Sequence, residues 1–117
     1  MGVTYGQIKD WVLALPGTSE VFVDRWDEYS LRAGEKIIVI GASDRPSATV
    51  KASVQDQAEL LAGSPDTYAK AAYVGRYGWV TVTLATAEAE QLRRVVEDAW
   101  RATAPKKVVR VYDSAQA

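Results

Sequence analysis

Residues 28–52 hold three strand-patterned segments whose links are too short to cross from one end of a sheet to the other. Glu28–Ala33 alternates, with Tyr29, Leu31 and Ala33 opposite Glu28, Ser30 and Arg32. Gly34-Glu35 is a link of hairpin length. Residues 36–42 carry Ile37-Ile38-Val39-Ile40, which leaves no polar face and predicts a buried strand. Residues 43–46, Ser-Asp-Arg-Pro, form the next turn, and 47–52 alternate again, Ala48, Val50 and Ala52 opposite Thr49 and Lys51. Parallel neighbours need a crossover of about a dozen residues or more, so these segments can pair only as an antiparallel meander. A shorter strand is expected before them, at 21–24.

Helices flank the meander. Thr4 and Gln7 form a capping-box pair, followed by Ile8, Trp11, Val12 and Leu15 at i, i+3, i+4 and i+7, with Pro16-Gly17 as the stop. Ser53 is placed to cap a second helix, with Asp56 in its first turn, Val54, Ala58 and Leu61 on one face, and Gly63 and Pro65 at its end. Residues 64–78 read as an ordered loop, with a helical turn near 66–70. Residues 79–84 read as a strand, and 86–103 as a third helix with Leu92, Val95, Val96, Ala99 and Thr103 inward and Trp100 beside them. Pro105 ends or kinks that helix. The tail 106–112 fits a short helix or an extended segment. The order is therefore α-β-β-β-β-α-β-α: an α+β, two-layer domain over residues 1–117, an antiparallel β-sheet with helices packed on one face.

The 117 residues contain no cysteine and no histidine. That removes disulfides, thiolate or imidazole zinc sites, cysteine nucleophiles and the serine–histidine–acid triad within the chain. Carboxylates, lysine and tyrosine remain as catalytic groups. The net charge of −1 and a pI near 5.4 carry none of the basic excess usual in a dedicated DNA binder, although a local basic face is compatible with them. Residues 1–5 lack the pattern of a secretory signal, and no apolar run approaches a membrane span, so a cytoplasmic protein is the expectation.

Four segments resemble one family. Residues 15–20 (LPGTSE), 29–37 (YSLRAGEKI), 72–80 (AYVGRYGWV) and 99–107 (AWRATAPKK) are similar, in order and spacing, to MmcQ/YjbR-like proteins. The resemblance implies a compact α+β domain akin to CyaY-like or secretion-chaperone-like folds. It also implies DNA binding through a "double wing" surface of sheet and hairpins, with no cofactor and no agreed catalytic residue. Family members commonly carry histidine before the last strand, where this chain has Arg76, and after the first helix, where residues 21–27 have none.

The candidate binding residues fall into groups. Tyr73, Tyr77 and Trp79 interleave with Lys70 and Arg76, the mixture used by platforms for single-stranded nucleic acid; equally, Trp79 can pack at the sheet edge while Gly75 and Gly78 serve a turn. Arg25, Arg32, Lys36, Arg45 and Lys51 could lie along a phosphate backbone, or form a solvated strand face diluted by Glu28, Glu35 and Asp44. Lys106, Lys107 and Arg110 could clamp an anion or complement a helix dipole. Trp26 is either a partner contact or a plug at the end of the core. Asp24 and Asp27, with Glu20 and Glu28, fix no metal or acid–base geometry, and Glu88, Glu90, Glu97 and Asp98 read as a solvated face. Gly75 and Gly78 match no phosphate-loop pattern.

The expected function is a monomeric binding protein, not an enzyme. DNA is its nominal partner, contacted by Arg25, Arg32, Lys36, Lys51, Lys70, Arg76, Lys106 and Lys107, with Tyr77 and Trp79 stacking. Two other readings stand beside it. One is a small-molecule binder for an aromatic metabolite or natural product, with a cleft lined by Trp26, Tyr73 and Trp79. The other is a protein-interaction adaptor. No membrane, metal or cofactor is expected.

Overall fold

The computed structural model describes residues 2–116. Helix α1 (Tyr5–Leu13) starts where the sequence places it. Thr4 Oγ1 accepts the Gln7 N–H at 3.1 Å, and the Gln7 side chain accepts the Thr4 N–H at 2.9 Å. Strands β1 (Thr18–Val23), β2 (Glu28–Ala33), β3 (Lys36–Gly41) and β4 (Ser47–Val50) form the meander. Helix α2 (Val54–Gly63) follows, capped by Ser53, whose Oγ accepts the Asp56 N–H at 3.0 Å.

Residues 64–78 depart from the expectation of a loop with a helical turn near 66–70. They contain a further strand, β5 (Tyr68–Lys70), paired antiparallel to β6 (Val80–Thr83). Three residues carry no legible alternation, and only the pairing with β6 makes them a strand. The sheet order is β1-β2-β3-β4-β6-β5. Helix α3 (Ala89–Thr103) begins later than Thr86. Leu84–Thr86 instead make a 3-10 turn, and the Glu88 carboxylate caps the helix by accepting the N–H groups of Glu90 and Gln91. The tail is helical, α4 (Lys106–Gln116). None of the described helices is long and apolar enough to cross a membrane.

One face of the sheet takes the helices. Leu31, Val39, Val50 and Val80 lie in register across it and are fully buried with Ile8 and Val12 of α1 and Leu92, Val96 and Trp100 of α3. Ser19, Arg32, Ile40, Thr49, Thr81 and Ala69 share the opposite face. Of the run read as buried throughout, Ile38 and Val39 are fully buried, whereas Ile37 and Ile40 are half-buried. A bulge opposite Leu31/Arg32 interrupts the alternation, so consecutive residues enter the core.

Helix α2 also turns differently from its expected stripe. Val54 and Ala58 are exposed, and the buried residue is Gln57. Its Nε2 donates to the carbonyls of Gly75 (2.7 Å) and Trp79 (2.8 Å), which tethers the β5–β6 link. Leu61, the third residue of the expected stripe, is half-buried against the core with Leu60, so apolar contact at the end of the helix and the polar tether at Gln57 together set its roll.

Candidate nucleic-acid interface

The β5–β6 link is an ordered loop held at several points. Ala71 N–H donates to the Trp79 carbonyl at 3.1 Å, Tyr77 N–H to Val74 and Gly78 N–H to Gly75, both at 3.0 Å. Gly78 has φ +108°, and a Cβ there would lie 2.2 Å from the Ala52 carbonyl oxygen, so only glycine fits where the link crosses the start of α2. Val74 N–H also reaches back to the Ala72 carbonyl at 2.6 Å, closing a three-residue turn around Tyr73. Tyr73 has φ +63°, a strained conformation for a bulky residue, and is 96% exposed. Tyr77 is 61% exposed, with the Arg76 guanidinium 4.8 Å from its ring centroid. Trp79 is half-buried.

The strand register brings most of the candidate cations to one end of the sheet. Val39, Val50, Val80 and Lys70 are level across β3, β4, β6 and β5, and Lys51 N–H continues the ladder to the Ile38 carbonyl at 2.9 Å. Beyond that line lie the Ala33–Lys36 turn, Lys51 and the link with Arg76 and Tyr77. Lys51 Nζ donates to Thr103 Oγ1 at 2.7 Å, which brings in the end of α3 and, just after it, Lys106 and Lys107. Burial, and then the nearby charge of Lys36, lower the Lys51 pKa from its ordinary value. Arg32 faces the helix-free side near the same turn, its Nε donating to Ser30 Oγ at 2.9 Å. Glu35 is the acid in that turn.

Arg25 does not join them. It lies in the 3-10 turn Asp24–Trp26, beyond the Val23–Glu28 pair at the opposite end, with its guanidinium 5.5 Å from the Trp26 ring centroid. Arg45, hydrogen-bonded to Asp27, is there too. Trp26 and Trp79 are therefore at opposite ends of the sheet with β3 and β4 between them. They line no common cleft, and Tyr73 projects into solvent.

Among the described residues, Lys9, Arg45, Arg93 and Arg101 make ion pairs, while Arg32, Lys36, Lys51, Lys70, Arg76, Lys106 and Lys107 make none. A cleft of about 540 Å³ opens beside this cationic end, between α2 and α3. Lys51 and Tyr77 belong to its lining. Leu60, Val95, Ala99 and Ala102 supply apolar wall, and Asp56, Glu59, Asp98 and Arg94 supply charge. Asp98 is exposed, as the reading of the α3 acids expects, and its pKa is raised by partial desolvation and then by the charges of Asp56 and Glu97, with Arg101 and Arg94 opposing. No single-residue pattern announces this cleft, because its two walls are about 40 residues apart in the chain.

A family model, YjbR, matches residues 13–102. The chain belongs to the YjbR family. The match includes the meander, the tethered link and most of α3, and so covers every element of the site except α4. A Deinococcus radiodurans protein, DR2400, whose crystal structure is described as a DUF419 family-model domain, superposes with a TM-score of 0.74 at 20% identity, covering 83% of this chain and 75% of that one. At that identity the likeness concerns the fold. No curated protein matches the chain by sequence.

Proposed function

We propose that this YjbR-family protein is a binding protein for DNA, single strands in preference, held at the cationic end of its sheet. The observation that carries the reading is the gathering of Lys36, Lys51, Lys70, Arg76, Lys106 and Lys107, none of them ion-paired, around exposed Tyr73 and Tyr77. Cations whose counter-charge is not already supplied by the protein are the ones that exchange small ions for phosphates. Exposed rings beside them offer stacking faces to bases of any identity. The strain at Tyr73 supports the same reading, since a large ring held out in water by a costly backbone turn adds nothing to the core.

The test is fluorescence anisotropy of labelled single- and double-stranded oligonucleotides along a salt series. Binding should be micromolar at low salt and weaken with a log–log slope of about 0.7 per phosphate neutralised on single strands. Replacing Lys36, Arg76, Lys106 and Lys107 together by alanine should flatten that slope, whereas Arg25→Ala, at the opposite end, should leave it unchanged. Absence of binding at low salt rejects the proposal.

A further inference from the structure

We infer that β1 pairs edge to edge with β1 of a second copy of this chain, antiparallel about a two-fold axis at Val21, so that two six-stranded sheets become one continuous sheet. This goes beyond the DNA reading and stands independently of it.

The two edges of the sheet are built differently. At one edge, β5 is three residues long and ends on exposed Ala69 and Lys70. Shortness and lysine are common guards against the addition of a further strand. At the other edge, β1 runs for six residues in unbroken register with β2 and contains no lysine, proline or bulge. Gly17 accepts the Gly34 N–H at 2.9 Å, and the Val21 carbonyl also points toward β2, where it accepts from Ser30 Oγ at 2.9 Å. Along an antiparallel strand, residues two apart direct their backbone groups the same way. Glu20 and Phe22 therefore direct theirs away from β2, and among the described residues neither finds a backbone partner there. Beside these open groups Val21 is 40% exposed and Phe22 44%. A long edge of this kind is a template for another strand.

Charge and register point to a second copy as that strand. The one charge within β1, Glu20, is already neutralised, since its Oε2 accepts the Tyr5 hydroxyl at 2.7 Å and its Oε1 pairs with Lys9 Nζ at 3.2 Å. Asp24 and Arg25, just past the strand, are opposite in sign. Two copies of this edge therefore do not repel, as a self-complementary interface requires. A two-fold axis at Val21 sets Glu20 of each copy opposite Phe22 of the other, and each such pair exchanges both of its N–H···O bonds. Val21 meets Val21 of the second copy as the closer, non-bonded pair on the helix-free face. An axis at Glu20 would instead set two carboxylates opposite each other, which is unfavourable, and one at Phe22 would set Glu20 against Asp24 beyond the end of the strand. Because the paired strands run antiparallel, the cationic ends of the two copies point in opposite directions and stay open. The protein is then monomeric when dilute and dimeric when concentrated.

Sedimentation of the native protein from about 1 μM to about 1 mM should show a reversible monomer–dimer equilibrium, as suits a small interface. Val21→Lys sets like charges face to face on the two-fold axis, at a side chain already open to water. It should weaken association about ten-fold or more while leaving the far-ultraviolet spectrum unchanged. The chain has no cysteine, so single introduced ones report the register. In Val21→Cys the two thiols face each other across a non-bonded pair, whose Cα separation of about 4.5 Å a disulfide can span, and mild oxidation should give a covalent dimer. Val23→Cys lies on the same face but opposite Ser19 of the second copy, out of reach of its own counterpart, and should stay uncross-linked. A native protein that is monomeric across that range, a dimer undiminished by Val21→Lys, or equal cross-linking of the two cysteine variants would overturn the inference. Each of those results leaves the DNA reading standing.

Discussion

Gln57 shows how one side chain can hold a functional surface from behind. Its amide is buried and donates to two carbonyls, Gly75 and Trp79, that bracket Arg76 and Tyr77. Each carbonyl also accepts a backbone N–H, Gly78 to Gly75 and Ala71 to Trp79, so removing the amide weakens the loop without orphaning either oxygen entirely. Gln57→Leu should therefore cost about 1–3 kcal/mol in urea denaturation, the range for breaking hydrogen bonds at buried polar groups. It should also weaken DNA binding by loosening Arg76 and Tyr77. Unchanged stability would show that the tether is dispensable. A different residue, Tyr68, is buried with its hydroxyl unpartnered among the described residues, and burial followed by the Glu88 charge pushes its pKa up to about 12.

Among the elements, α4 docks through an aromatic contact, apolar burial and an ion pair. The Tyr112 ring meets the Trp100 ring edge-on at 5.2 Å, and Val108 and Val109 add partial burial. Arg101 of α3 donates to both carboxylate oxygens of Asp113, at 2.8 and 2.9 Å, and to Glu97. The guanidinium holds Asp113 below the usual carboxylate range. A carboxyl whose pKa is depressed on folding stabilises the folded state above its unfolded value, near 4, and that contribution is lost as pH falls through the lower folded value. Near neutral pH the α4 clasp should be intact, and below about pH 4 it should loosen. Cross-peaks between the Trp100 and Tyr112 rings in NMR spectra should fade over that interval while those of Leu31 and Val50 persist. Arg101→Gln should weaken them at neutral pH, and retention of the cross-peaks in that variant would assign the docking of α4 to apolar contact alone.

Across the whole molecule, Trp100 joins parts that no shorter side chain could reach together. It is fully buried in α3, its Nε1 donates to the Pro16 carbonyl at 3.1 Å after α1, and its ring supports Tyr112. Because the sheet, α1 and α3 share one apolar core, the protein should unfold in a single cooperative transition. Trp100→Ala should destabilise it by about 3–5 kcal/mol, a large part of the stability of a domain this size. Coincident denaturation curves from fluorescence and circular dichroism would confirm the cooperativity, and a loss below about 1 kcal/mol would show that the core closes over the gap.

Features that neighbouring residues settle among themselves were legible in the chain. The Thr4–Gln7 cap, the Ser53 cap, the short links of the meander and the inward stripe of Leu92, Val96 and Ala99 all act within a turn or a hairpin, and all are present as read. The resemblance in four segments likewise led to the YjbR family. Tertiary structure decided the rest. Tyr68–Lys70 is a strand only because β6 supplies its hydrogen bonds, and 106–116 is a helix docked by one face against Trp100. Gln57 is inward because its buried amide finds its acceptors in two carbonyls about 20 residues away. The same holds for the site. Residue type nominated the cations, but their grouping at one end, the separation of Arg25 and Trp26 from them, and the placing of Asp98 in a cleft depend on strand register and helix packing. Those are set by backbone hydrogen bonds and buried contacts between residues distant in the chain, and no local pattern encodes them.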